Sequence, residues 1–211
     1  MNTSSTLRTP TPPNAFLFDI GNVIVRFDFS LALRRVAEDS EVHDPVEVLA
    51  RIDRVKGAYE DGQIDRTAFL GAVFDVLRYR GTEAAFISAW EEIFEPNPPM
   101  IALVERLHGR FPLFLLSNIG DIHRDYLFRR YPVFARFTAG TYSYAVRASK
   151  PGPEIYQHAI RTHGIEPART FFIDDLLPNI ATARTLGFRA HHYHPDRHAD
   201  LEKELAALGI A

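Results

Sequence analysis

Four short stretches end apolar runs with residues that could do chemistry: FLFDIGNVIV (16–25), FLLSN (114–118), ASKPGPEIY (148–156) and FFIDD (171–175). They contribute Asp19, Ser117, Asn118, Lys150, Asp174 and Asp175. Carboxylates gathered in one cleft repel one another and favour protonation unless a cation joins them. A hard divalent ion with oxygen ligands answers that repulsion, and Mg²⁺ with retained waters suits so sparse a set. It would also offset the repulsion between an anionic substrate and the Asp19 carboxylate. Lys150 adds positive charge, and Ser117 at a strand-to-helix junction offers a hydroxyl and nearby backbone N–H groups to phosphate oxygens. Together these parts describe phosphoryl transfer to an aspartate. Structural readings stand beside the chemical ones: a strand-end cap for Asp19, a turn and helix cap for Ser117 and Asn118, a solvated Lys150, and helix caps for Asp174 and Asp175.

The elements that must position these residues follow from periodicity. AFLFDI, FPLFLLSN, RFTAGTYSY, TFFIDD and FRAHHY read as strands, the first as a buried parallel strand with Asp at its end. MIALVERLHGR, GDIHRDYLFRRY, PEIYQHAIRTHG and NIATARTLG read as helices between them. Such alternation predicts right-handed crossovers and an α/β parallel sheet. In open sheets of this kind ligands bind outside the carboxyl ends of the strands, where the polar residues fall. Residues 30–94 break the alternation with amphipathic helical patterns alone, and the Pro-rich EPNPPM (95–100) returns the chain to the core. The expected organisation is a tail at 1–14, a core at 15–29 and 95–211, and a helical cap at 30–94.

Composition narrows the classes. The 211 residues carry a net charge of −3, which gives no basic face for nucleic acid, and no cysteine, which excludes disulfides, thiolate metal sites and Cys nucleophiles. The polar, Pro-rich start lacks the apolar core of a signal peptide, and no apolar run is long enough to span a membrane. A disordered N-terminal tail and a soluble, cytoplasmic protein, monomeric or homodimeric, are therefore expected. HHYHPDRH (191–198) has no helix-borne ligand spacing and reads as a solvated segment after the last strand. Phe86, Trp90 and Phe94 at helical spacing, and the aromatics of RFTAGTYSYAVR, read as packing.

In order and spacing, FDIGNVIV, LLSN, SKPGPEIY and FFIDDLLPNI resemble the four motifs of haloacid dehalogenase (HAD) superfamily phosphatases with a helical cap inserted after the first strand. The resemblance spans about residues 15–194 and implies a Rossmann-like HAD core and a Mg²⁺-dependent phosphatase acting on a small-molecule phosphate ester. It implies Asp19 as nucleophile and metal ligand, and Gly21 as donor of a backbone carbonyl to the metal. Ser117 and Asn118 would grip the phosphoryl group, with Lys150 as the third motif's lysine. Asp175 would be a direct metal ligand and Asp174 an outer-shell partner, while Asn179 stands where many relatives carry a further Asp. Gly21 is the departure, because most family phosphatases place there a second Asp as general acid and base, a kind of group worth about 10²–10⁴-fold in rate. The chain instead resembles a D-x-G-N-V branch that includes α-glucose 1-phosphate phosphatases, so a sugar phosphate is the expected substrate. Either a good leaving group needs little protonation, or an acid arrives from the cap or flap; Asp28 and Glu60 are the candidate donors, and Tyr59 and Glu60 the candidate cap contacts. A metal-independent dehalogenase and a catalytically weak binding protein of the same fold are the rival readings.

Overall fold

The computed structural model describes residues 12–210; most of the expected tail at 1–14 lies outside them. The chain begins with β1 (Ala15–Phe18) and β2 (Val25–Phe27), then α1 (Phe29–Glu38), α2 (Pro45–Glu60), α3 (Arg66–Leu77) and α4 (Glu83–Glu91). It continues through β3 (Phe94–Pro96), α5 (Pro98–Leu107), β4 (Leu113–Ser117), α6 (Asp121–Arg130), β5 (Ala139–Tyr142) and α7 (Ser143–Val146). It closes with α8 (Pro153–His163), β6 (Thr170–Asp174), α9 (Leu177–Thr185), β7 (Arg189–His192) and α10 (His198–Ala207).

The main sheet has the order β5-β4-β1-β6-β7, and every neighbouring pair is parallel. Side chains alternate across a strand, so a sheet covered on both faces needs apolar residues at every position. In β1, Phe16 and Phe18 enter one apolar cluster with Leu103, Leu115 and Leu201. Ala15 and Leu17 enter the other, with Leu116, Ile155 and Phe172. The chain leaves β1 for β4 on one side and later reaches β6 on the other. The strand order therefore diverges at β1, which leaves a crevice at its carboxyl end.

Helices α1–α4 form a third apolar cluster of their own, centred on Phe69, Phe86 and Trp90. Their starts are written locally. Asp28, Asp44 and Asp65 accept hydrogen bonds from the first-turn amides of α1, α2 and α3, and Thr82 does the same for α4. Where the sequence pattern gave no strand between the core and the helical segment, Val25–Phe27 pairs antiparallel with Phe94–Pro96. At three residues each, these strands are too short for an alternating pattern to register. Buried Asn97 fixes this ribbon to the core by donating to the Val23 carbonyl (2.7 Å) and the Tyr193 hydroxyl (2.9 Å).

The solvated segment expected at 191–198 is confined to the exposed His194, Asp196 and Arg197 and the residue between them. His191 and His192 end β7, Tyr193 is buried, and His198 opens α10. Tyr193 is drawn in because its ring joins the core cluster while its hydroxyl meets Asn97. No helix among the described residues is long and apolar enough to cross a membrane.

The cap cluster depends on its aromatic stack. Phe86 is fully buried, with its ring 5.5 Å from that of Trp90. Phe86→Ala is expected to cost about 3–5 kcal/mol, measured by chemical denaturation. A variant as stable as the parent would contradict the cap core described here.

Candidate active site

Asp19 lies one residue beyond β1, and its amide donates to the Ile173 carbonyl of β6 at 2.9 Å. That register sets it beside Asp174, the last residue of β6. Lys150 lies between them, its Nζ 2.8 Å from Asp19 Oδ1 and 2.7 Å from Asp174 Oδ2. All three are buried. Burial works against the lysine's charge, but the two carboxylates outweigh it and raise its pKa. Burial, reinforced by Asp174 and Asp175, pushes Asp19 up to about 6 against the opposing pull of Lys150.

Lys150 owes its place to Asn118. The Asn118 amide group donates to the Lys150 carbonyl and accepts from the Lys150 amide, both at 2.8 Å. Both ends of the Asn118 side-chain amide are thus used to position the lysine, while the residue itself borders the cavities beside Ser117. Pro153 stands in the first turn of α8, just after this loop.

Asp174 has no oxygen to spare. Oδ1 accepts from the Leu176 amide and from Asn179 (both 2.9 Å), and Oδ2 from Lys150 and Asn179. Asp175, raised by burial, accepts from Asn22 Nδ2 at 3.0 Å. Asn22 holds the left-handed backbone (φ 54°) that Asn adopts more readily than most residues. Asp19, Asp174 and Asp175 each bring an oxygen within 4.8 Å of the others. Three carboxylates and one ammonium leave a deficit of positive charge, and an oxygen-donor set of this size fits a hard divalent cation. Asp19 and Asp175 are the acids with oxygens to offer directly; Asp174 is saturated by protein donors.

Beside this cluster lie two adjoining cavities. The smaller, about 190 Å³, is lined by Asp19, Asn22, Ser117, Lys150 and Asp175. The larger, about 360 Å³, opens towards the cap and is lined by Phe29, Asp53, Lys56, Glu60, Phe94 and His123. Gly21, Phe27, Ser117 and Asn118 border both. Ser117 is thus brought to the site, and so is Glu60, whose carboxyl burial raises in pKa although Lys56, 2.8 Å away, pulls it down.

Two expected contacts are not brought in. Asp28 caps α1 through the Ser30 amide, a hydrogen bond that lowers its pKa, and it lines neither cavity. Tyr59 is buried, stacks on Phe69, donates to Asp121 and accepts from the Ile122 amide, so it joins the cap to α6. Its neighbourhood is tightly built: Gly62 takes φ +69° where an added Cβ would sit 2.2 Å from the Tyr144 carbonyl oxygen. Arg66 bridges to Asp121 and Asp125, and Ser143 Oγ donates to the Glu60 carbonyl at 2.5 Å. This seam holds Glu60 over the core.

Sequence reasoning missed Asn22, Lys56, Asp53 and His123. A signal existed for two of them, since Asp53 and Lys56 share a helical face with Glu60. Buried His123, by contrast, comes from α6 on the core side. Its Nε2 donates to the Trp90 carbonyl at 2.8 Å, and burial pushes its pKa down to about 4.

A model of the haloacid dehalogenase-like hydrolases matches residues 13–187. The chain belongs to that family. It is 35% identical to a D-ribitol-5-phosphate phosphatase of Bacteroides thetaiotaomicron over 91% of this chain and 96% of that one. Its fold is similar to that of a HAD-family enzyme of the same organism, solved with magnesium and inorganic phosphate (TM-score 0.77, 24% identity, 85% of this chain and 93% of that one). It is also similar to a HAD-like hydrolase of Porphyromonas gingivalis (TM-score 0.77, 23% identity, 92% and 98%).

Within this HAD hydrolase, Gly21 stands where the resemblance leads one to expect an acid, and the structure shows what fills the space. A Cβ on Gly21 would come within 2.9 Å of Phe27 Cε1 and 3.4 Å of Cδ1. The Phe27 ring packs edge-on against Phe29 and Phe94 (5.6 and 6.4 Å) and is 40% exposed, so it makes room only by loosening those ring contacts. Gly21→Asp alone is expected to lose about 1–3 kcal/mol through overpacking, and Gly21→Asp with Phe27→Ala to recover most of that loss relative to Phe27→Ala alone. Additive stabilities in a thermal-denaturation double-mutant cycle would break the link between the two positions.

Proposed function

We propose that this HAD hydrolase is a Mg²⁺-dependent phosphatase of small phosphorylated metabolites, with a sugar or sugar-alcohol phosphate as substrate. The observation that carries the reading is the buried Asp19–Lys150–Asp174 ion triad with Asp175 alongside, opening into the cavity lined by Ser117. The phosphatase relative supports the reaction, and its named substrate supports the class.

Asp19, Asp175 and the Gly21 carbonyl would hold the magnesium ion, which, when bound, supplies the positive charge the carboxylate cluster lacks. Lys150 has three N–H donors, two of them engaged by Asp19 and Asp174, so the third is left for a phosphoryl oxygen. Ser117 contributes its hydroxyl at the same cavity. The Asp19 carboxylate attacks phosphorus in line, forming an acyl phosphate and breaking the bond to the leaving oxygen. The leaving alkoxide takes a proton from Glu60, the half-buried acid of the adjoining chamber. Glu60, now a carboxylate, takes a proton from the incoming water, which attacks phosphorus, frees phosphate and restores Asp19. Gly21 and the retained acid pair Asp174–Asp175 also favour this reading over a metal-independent dehalogenase.

Asp19→Asn is expected to abolish phosphate release while retaining the circular dichroism and melting profile of the parent, and EDTA should silence the parent reversibly. Full activity in the variant, or indifference to EDTA, would sink the mechanism. Glu60→Gln should lower kcat for an alkyl phosphate by about 10²-fold or more. It should spare p-nitrophenyl phosphate, whose leaving group needs no proton. An equal loss on both substrates would remove Glu60 as the donor.

A further inference from the structure

The cap-side chamber has two unlike walls. Along α2, Leu49, Asp53, Lys56 and Glu60 recur at helical spacing and face it together. Opposite them stand Phe27, Phe29, Phe94, Ile20 and Ile119, an apolar surface beside the phosphoryl site. Lys56 is the one cation among the chamber's lining residues, and it is not free. Its Nζ lies 2.8 Å from the Glu60 carboxylate and 4.9 Å from the Phe29 ring centre. Asp53 sits exposed at the mouth.

These charges never sum to a positive value, whichever state Glu60 is in. With Glu60 ionised, Asp53, Lys56 and Glu60 total −1; with Glu60 protonated they total zero. His123 adds nothing, because burial keeps its ring neutral. With Nε2–H given to the Trp90 carbonyl, its Nδ1 is an acceptor. The polar groups of the chamber are therefore mainly acceptors for hydroxyl hydrogens. A second anionic group entering it would shed water and find Lys56 already engaged by the Glu60 carboxylate.

We propose that α2 selects substrates by charge: the chamber takes a phosphate monoester whose remainder is a neutral, hydroxylated chain, and rejects esters bearing a carboxylate or a second phosphate. The chain's hydroxyls lie along Asp53, Lys56 and Glu60, and its C–H edge lies against Phe27, Phe29 and Phe94. The inference rests on the phosphatase reading and narrows it.

The test compares kcat/KM for a pentitol 5-phosphate, a phosphoglycerate and a sugar bisphosphate, with Mg²⁺ present, in the parent and in Asp53→Lys. Position 53 is exposed, so this change does not disturb packing. The parent should favour the pentitol ester over both others by more than about tenfold. Asp53→Lys, which shifts the chamber charge by two units, should narrow that ratio by about tenfold. A parent that handles the carboxylate or bisphosphate ester as well as the pentitol ester overturns the proposal, as does an unchanged ratio in Asp53→Lys. Failure of the parent to turn over even p-nitrophenyl phosphate would strike the phosphatase reading instead. In that case calorimetric binding of the three esters to the parent decides the charge preference by itself: tighter binding of the pentitol ester supports it, and equal binding overturns it.

Discussion

The candidate active site is assembled on one buried ammonium. Lys150 is wedged between Asp19 and Asp174, with side chains that are 2%, 10% and 0% exposed respectively. Any one of these charges alone at such depth would neutralise itself by a shift in pKa. Together the two carboxylates hold the Lys150 pKa up against its burial, and a buried pair deprived of one partner leaves an uncompensated charge worth about 3–5 kcal/mol. The geometry therefore has to be right at three points of the chain far apart in sequence. The parallel register of β1 and β6 supplies two of them, and the two-point bond from Asn118 to the Lys150 backbone supplies the third.

The same loop is tied to the cap. Ser149, next to Lys150, donates to Asp61, next to Glu60, while Ser143 holds the Glu60 carbonyl. The end of α2 and the lysine loop are thus anchored to one another, so the phosphoryl cavity and the chamber above it cannot shift independently without breaking these bonds. On the proposed mechanism this matters because the nucleophile comes from the core and the proton from the cap. The seam from Arg66 to Asp121 and Asp125 carries the same constraint further along α3 and α6.

How much of this was legible in the sequence depends on the range of the interactions involved. The core strands were readable because burial on both faces demands unbroken apolar runs, and those runs end in the polar residues that make the site. The helical character of the segment between Ser30 and Phe94 was readable from its amphipathic period. The Val25–Phe27 and Phe94–Pro96 ribbon was not, because three-residue strands have no period and are defined by each other across the whole cap. Asp28 and Tyr59 stood in the right neighbourhood and turned out to serve the fold: one caps a helix, the other pins α2 to α6. The part that the Asn118 side chain plays was not legible beside Ser117. The partner of its amide group, the Lys150 backbone 32 residues further on, is visible only once β4 and the lysine loop lie side by side.

Gly21 shows why a missing side chain need not be a missing function. The volume that a side chain there would enter is held by Phe27, a residue of the ribbon through which the chain passes into the cap. An aromatic wall at that point separates the charged cavity from the chamber while bordering both. An acid at position 21 would ride on the rigid end of β1, available whether or not the cap is in place. An acid on α2 is instead held in place by the seam between α2 and the core, beside the chamber that Phe27 borders. On the proposed mechanism, protonation of the leaving group then requires that the remainder of the substrate be recognised first. On that mechanism the absence of the second acid makes turnover depend on the chamber, and so, on the selection proposed for α2, on the charge and hydroxyl pattern it presents.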